Sequence, residues 1–224
     1  KLCKEVNEDS IKMICNLMSK DQLMIMPVTN SGYGSGKPEK IYTEESPLNP
    51  ISTYGITKVN AEKIALEREN CITFRLATVF GMSFRMRIDL LVNNFVYLAL
   101  VEKKLSVFEG HFKRNYIHIQ DVSRVFMFAL NNFEKMKSNI YNFGLEDANL
   151  SKLELAQKIQ NHINDLEILI DENRKDPDKR NYIVSNDKII KTGFKMNWSL
   201  DKGIVELIKG LKSIKRPENF MNVK

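Results

Sequence analysis

Two apolar runs, residues 23–28 and 71–79, flank a Gly/Pro loop and a helix-like stretch, and this order constrains the fold more than any other feature. Residues 23–28 form a continuous apolar run of the kind found in a strand covered on both faces, and 71–79 reads as a second buried strand. The loop between them carries Gly32, Gly34, Gly36 and Pro38, then Pro47 and Pro50. A helix is predicted over 52–69, with Ile56, Val59, Ala61, Ile64 and Ala65 on its buried side. Strand, helix and strand in succession imply parallel pairing through a right-handed crossover. A further helix is predicted over 6–20, with Ile11, Ile14, Cys15 and Met18 on one face. The expected class is α/β, built on a parallel sheet.

The second half is less regular. A helix is predicted over 88–103, short strands over 105–108 and 115–119, and a helix over 122–132 capped by Asp121. A sheet strand follows at 140–143. Ser151 and Glu154 form a capping box that opens a helix to about residue 163. A strand at 167–170, a short helix at 186–192 and a helix at 200–211 complete the order, the last with Ile204, Leu207, Ile208 and Leu211 inward. The stretch 214–224 is predicted to fray.

Composition narrows the function classes. A chain of 224 residues, 43% hydrophobic with only 10 Gly and 6 Pro, can bury a core and is not low-complexity. The net charge of +6 comes from 34 basic residues interleaved with 28 acidic ones. Lys113-Arg114 and residues 212–216 are only short basic clusters, so a solvated surface is expected rather than a nucleic-acid-binding face. Cys3, Cys15 and Cys71 show no metal-ligand spacing, and their number fits a reducing compartment. The longest apolar run, 90–101, is interrupted by Asn93 and Asn94 and is too short to span a bilayer. A soluble, cytoplasmic protein without a membrane or nucleic-acid partner is expected.

The strongest local chemistry lies in Tyr54-Gly55-Ile56-Thr57-Lys58. Helix positions i and i+4 share a face, so the phenol and the ammonium can approach one small molecule. A free phenol has a pKa of about 10, and a cation within roughly 4–6 Å favours the phenolate. Taken alone, such a pair is commonly two surface neighbours. Thr29 adds weight, because it ends a predicted buried strand, where open α/β sheets place their ligands.

The combination is specific. Pro27-Val28-Thr29-Asn30-Ser31-Gly32-Tyr33-Gly34 is followed by Glu44-Glu45-Ser46-Pro47-Leu48-Asn49-Pro50 and then Tyr54. Phe74-Arg75-Leu76-Ala77-Thr78-Val79-Phe80-Gly81, the segment from Lys113 to Val122, and Asn142-Phe143-Gly144 come next in order. Together they resemble the extended short-chain dehydrogenase/reductase superfamily, in its NAD-dependent nucleotide-sugar epimerase/dehydratase branch. The resemblance implies a Rossmann-like sheet with a smaller C-terminal α/β substrate lobe, NAD or NADP as cofactor, a nucleotide-sugar substrate and a homodimer. It implies Tyr54 as catalytic base or acid, and Lys58 as its pKa-lowering partner and a ribose ligand. Thr29 falls where a hydroxyl meets the reacting sugar. Arg114 and Arg180 fall on phosphate-binding positions, Arg180 beside the polar stretch from Lys175 to Asp178. Arg87 and Asn93 would line the substrate cleft, as would Thr78, which stands where the family usually has Asn. His118 reads as structural.

Sugar 4,6-dehydratases of this branch carry an Asp-Glu pair directly after the catalytic Thr. Here those positions are Asn30 and Ser31, neither able to act as a carboxylic acid near neutral pH. Epimerisation or keto-sugar reduction is therefore expected over dehydration. A remnant without turnover is a third reading, and a nucleic-acid module the last.

No G-x-G-x-x-G or G-x-x-x-x-G-K loop occurs in the sequence. The resemblance places that loop upstream, two βαβ passages or roughly 80 residues before the first matched strand. Residues 1–85 would be the C-terminal portion of the Rossmann-like domain, its N-terminal strands missing. Residues 86–224 would mainly form the sugar-nucleotide lobe, returning to the sheet around 115–145. The chain as given is then expected to bind NAD(H) poorly or not at all and to leave a strand edge unpaired near 23–28.

Overall fold

The computed structural model describes residues 1–36, 40–174 and 180–222. Helix α1 runs through Leu2–Lys4, a π-helical turn at Glu5–Asp9, and Ser10–Leu17. It packs Ile11, Cys15 and Met18 against a small cluster around Met24, Met26, Ala61 and Cys71. Ile14 was expected on this face but is exposed. It lies about 60° around the helix from Ile11, at the edge of the stripe.

Strand β1 (Met24–Thr29) ends in a 3₁₀ turn, Asn30–Tyr33, and the loop beyond it forms the short strand β2 (Ile41–Tyr42). Helix α2 (Thr53–Leu66) opens on Ser52, whose Oγ accepts from the Gly55 amide at 3.0 Å. Its buried side is more polar than expected. Val59, Ala61 and Ala65 face inward together with Thr57 and Glu62, whereas Ile56 is exposed.

The run 71–79, expected as one strand, is two. Strand β3 (Cys71–Leu76) and strand β4 (Thr78–Phe80) diverge at Ala77, whose amide donates to the Phe143 carbonyl at 2.9 Å. The two pieces pair with different partners, which forces the bend. Helix α3 (Leu91–Val101), strand β5 (Lys104–Val107) and strand β6 (Lys113–His118) follow.

Helix α4 (Ile119–Asn131) is capped by His118, not Asp121 as expected; His118 Nδ1 accepts from the Gln120 amide. Asp121 lies inside the first turn, and its buried carboxylate accepts the Asn197 and Trp198 amides and meets Arg124 at 2.6 Å. The remaining elements are α5 (Phe133–Met136), β7 (Asn139–Phe143), β8 (Asn149–Ser151), α6 (Lys152–Gln160) with its capping box formed, β9 (Glu167–Ile170), β10 (Ile183–Val184), α7 (Asp187–Lys191) and α8 (Leu200–Leu211). The stretch expected to fray packs back instead. Pro217–Phe220 forms a 3₁₀ turn, and the Ile88 amide donates to the Phe220 carbonyl at 2.8 Å. Residues 223 and 224 lie outside the described residues.

The site is positioned by a parallel sheet of order β1-β3-β7. β3 is central and buried along its length. β1 was expected to be covered on both faces, yet Pro27 is exposed and Ile25 only half-buried. Among the described residues β1 pairs only with β3, and a proline is tolerated on such an edge because it has no N–H to offer. Strands β4, β6 and β8 form a second sheet, and β5–β9 and β2–β10 are parallel pairs. The main core joins β3, β6 and β7 to α3, α6 and α8.

Candidate active site

A cleft of about 740 Å³ opens where β1 and β3 end and α2 begins. Thr29, Ser31, Tyr54, Lys58, Thr78, Arg87, Arg180 and Tyr182 are among the residues that line it. The lining includes three cationic side chains, Lys58, Arg87 and Arg180, and no carboxylate among the described residues. Such a site favours an anionic ligand.

The 3₁₀ turn after β1 folds Thr29 back on itself. Thr29 Oγ1 accepts from the Ser31 amide at 3.1 Å and donates to Ser31 Oγ at 2.9 Å. Its hydroxyl and the Tyr54 phenol line the same cleft. Burial raises the Tyr54 pKa above the ordinary phenol value, even though 46% of the residue remains exposed. The Thr29 hydroxyl and the charges of Arg180 and Arg87 oppose that rise. In this arrangement the phenol holds its proton.

Lys58 sits one turn further along α2. Its Nζ donates to the Pro27 carbonyl at 2.6 Å, and burial lowers its pKa against the opposing charge of Glu62. The leading positive charges acting on Tyr54 are those of Arg180 and Arg87. Arg87 is itself held by Asp89 through a bidentate contact. Arg180 Nη1 donates to Ser31 Oγ.

Two predicted substrate ligands lie elsewhere. Asn93 is buried outside the cleft lining; its Oδ1 accepts the Gly81 amide at 3.0 Å and its Nδ2 donates to the Arg87 carbonyl at 2.9 Å. It braces the Arg87 loop, because a buried amide needs its hydrogen bonds satisfied nearby. Arg114 is also buried outside the lining, with Nη1 donating to the Lys113 carbonyl at 3.1 Å. Residues 175–178 lie outside the described residues. His118 is fully buried, stacked on Trp198 with ring centroids 3.8 Å apart. Among the described residues no three His, Cys, Asp or Glu side chains converge as a metal site, and no helix is long and apolar enough to cross a membrane.

Residues 7–144, more than half of the chain, match the model of the NAD dependent epimerase/dehydratase family. The chain belongs to this family. An uncharacterized UDP-glucose epimerase, YtcB, of Bacillus subtilis (strain 168) is 30% identical over 106 residues, which are 45% of this chain and 32% of that protein. The chain thus matches about a third of that relative's length. Among solved structures, dTDP-glucose 4,6-dehydratase from Bacillus anthracis str. Ames superposes with a TM-score of 0.79 at 22% identity, covering 96% of this chain and 70% of that one. UDP-glucuronic acid 4-epimerase from Bacillus cereus gives a TM-score of 0.77 at 20% identity, with 94% and 66% covered. Both structures hold NAD, and the fold is the Rossmann-like one of the NAD-dependent epimerase/dehydratase family.

In this member of the epimerase/dehydratase family, a buried network beneath the cleft escaped sequence reasoning. Arg75 on β3 grips the Glu62 carboxylate through Nε at 3.1 Å and Nη2 at 2.7 Å. Arg75 Nη1 also donates to Tyr33 Oη at 3.0 Å and the Glu44 carbonyl at 3.1 Å. Tyr33 Oη donates to Asn142 Oδ1 at 2.7 Å, and the Asn142 amide donates to Glu44 Oε1 at 2.7 Å. Helix α2, the turn after Thr29, the loop into α2 and strand β7 are thereby tied together. The signal was present in the sequence: Arg75 is a charge inside an apolar strand, and Glu62 follows Lys58 at i+4. A buried charge requires a partner.

Proposed function

We propose that this chain carries the proton-transfer and substrate-side residues of an NAD-dependent epimerase-type enzyme acting on a nucleotide-activated sugar. The observation that carries the reading is the convergence of Thr29, Tyr54 and Lys58 in one cleft lined by cations, with neutral Asn30 and Ser31 following Thr29. A cleft with no carboxylate among the described residues suits a dianionic diphosphate, and Arg87, Arg180 and Lys58 supply the positive field. The same chemistry fits NAD, whose ribose hydroxyls Tyr54 and Lys58 would hold. When bound, NAD supplies a hydride acceptor and donor. Thr29 orients the reacting sugar hydroxyl, and Tyr54 Oη takes its proton as the keto sugar forms and restores it afterwards. Water elimination lacks its acid, because neither Asn30 nor Ser31 carries a carboxyl group.

Keto-sugar reduction is the second reading, favoured by one observation: the raised Tyr54 pKa keeps the phenol protonated, as a proton donor to a ketone must be. The complete enzyme, incubated with nucleotide-linked hexoses, separates the two. Epimerisation yields both epimers with no net cofactor change, whereas reduction consumes NAD(P)H in proportion to product. Our reading includes a homodimer, supported by exposed Leu2, Val6, Met13 and Leu17 on α1. Sedimentation of the complete enzyme tests it, and a monomer at micromolar concentration would count against it.

A further inference from the structure

We propose that the C-terminal segment 214–222 is a strap for the candidate active site, with Phe220 as a positioning residue that acts through the loop carrying Arg87. Seating of the segment then sets how tightly the cleft holds a diphosphate. The proposal rests on the reading of that cleft as a nucleotide-sugar site.

Arg87 stands in a loop without helix or strand, residues 81–90, between β4 and α3. The tip of the loop adds no packing, since Phe84 is fully exposed and Arg85 is exposed beside it. The loop is held at its base instead. The Gly81 amide donates to Asn93 Oδ1 and the Met82 amide to Glu206 Oε2, each at 3.0 Å. Arg87 itself lies between buried Met86 and Ile88, and its carbonyl accepts from Asn93 Nδ2 at 2.9 Å.

The strap closes the other end of the loop. The Ile88 amide donates to the Phe220 carbonyl at 2.8 Å, and the Asn222 amide reaches Asp89 Oδ1 at 3.5 Å. Asp89 in turn accepts from the Arg87 guanidinium, from Nε at 3.1 Å and from Nη2. The segment thus meets the two residues that follow Arg87. One contact fixes the backbone, and the other fixes the carboxylate that aims the side chain.

Placement matters for this arginine. Its side chain is 42% exposed, and a long side chain left to sample many rotamers must be ordered when a ligand binds. Asp89 takes one edge of the planar guanidinium, at Nε and Nη2, so the orientation of the group is set before a ligand arrives.

Few contacts seat the strap. It follows α8, whose Leu200, Ile204 and Leu207 are buried, but only Ile214, Phe220 and Met221 pack on the main core beyond it, each half-buried. A segment with so little buried apolar surface opens locally well below the global unfolding free energy. Its seating is therefore a separate variable that the cleft feels through Arg87.

The test titrates inorganic pyrophosphate into the full chain by calorimetry, with circular dichroism as the check on folding. Arg87→Met is expected to weaken binding about tenfold, the scale of one hydrogen bond to a charged group. Phe220 is not among the residues that line the cleft. Phe220→Ser should nevertheless weaken binding about tenfold, because the binding-competent arrangement becomes a minor state. The double variant should bind as Arg87→Met does, since both changes act through one residue. Phe220→Leu keeps an apolar side chain on the core and should restore wild-type affinity. Met221→Ser loosens the same segment from a second contact, so the test stays decisive if Phe220→Ser unfolds the chain. Wild-type affinity in Phe220→Ser and Met221→Ser, with Arg87→Met weakened, overturns the strap alone. A further loss in the double variant also counts against it, by showing that Phe220 acts on the fold at large. Unchanged affinity in Arg87→Met removes the strap together with the reading of the cleft.

Discussion

Glu62 and Arg75 form a buried bidentate ion pair that ties the candidate catalytic helix α2 to strand β3, 2% and 3% exposed, with Nη2 to Oε2 at 2.7 Å. Removing one partner leaves the other charge buried without compensation, which typically costs about 3–5 kcal/mol. Glu62→Ala is therefore expected to lower unfolding free energy by that amount in urea titrations. A loss below about 1 kcal/mol would show that the pair is dispensable, as exposed pairs are.

Two glycines separate backbone strain from crowding. Gly34 has φ +68°, and a Cβ there would lie 1.9 Å from the Asn49 carbonyl oxygen. Gly193 has φ +91° with nothing within 4 Å of the same position. Gly193→Ala should cost only the left-handed conformation, about 1–2 kcal/mol. Gly34→Ala should cost clearly more, since backbone must also move. Equal midpoints in thermal unfolding would contradict the difference.

His118 makes stability depend on pH. Its Nδ1 accepts from the Gln120 amide, so the proton sits on Nε2 and faces Glu206 Oε2 at 2.8 Å. Burial lowers its pKa below 6.5, with Glu206 opposing. The unfolded chain thus binds the proton more readily, and the contribution of His118 is full above about pH 6.5 and lost as pH falls through the folded value. Wild-type chain should lose stability between pH 7.5 and 5.5, and His118→Gln should lose less over that range. Identical losses in both proteins would remove His118 as the cause.

The position of Lys58 yields a further outcome. Its ammonium is bonded to the Pro27 carbonyl, and the leading charges that favour ionisation of Tyr54 are those of Arg180 and Arg87. Lys58→Met should change the ionisation of Tyr54, read by ¹³C NMR, less than Arg180→Gln does. A larger change in Lys58→Met would return the role to the lysine.

Much of this architecture was legible in local sequence patterns. The capping box at Ser151 and Glu154, the strand at 167–170 and the inward residues Ile204, Leu207 and Leu211 follow from short-range periodicity, and they formed as expected. The direction of polar side chains was less legible, because it depends on tertiary partners. Asn93 turns to the Gly81 amide, and Arg114 is buried in a strand paired with β8. Asp121 resembles a cap in sequence, but the amides of Asn197 and Trp198, distant in the chain, claim it. Ala77 splits the run 71–79, expected as one strand, because strands formed much later in sequence, β6 and β7, pull its two halves apart.

The role of Tyr54 is the centre of the account, and turnover of the complete enzyme on a nucleotide-activated sugar tests it most directly. Tyr54→Phe keeps the ring and removes only the hydroxyl in the cleft. Turnover is expected to fall about 100-fold or more, the usual scale for loss of a general acid–base group. Turnover within a few-fold of wild type would contradict the assignment.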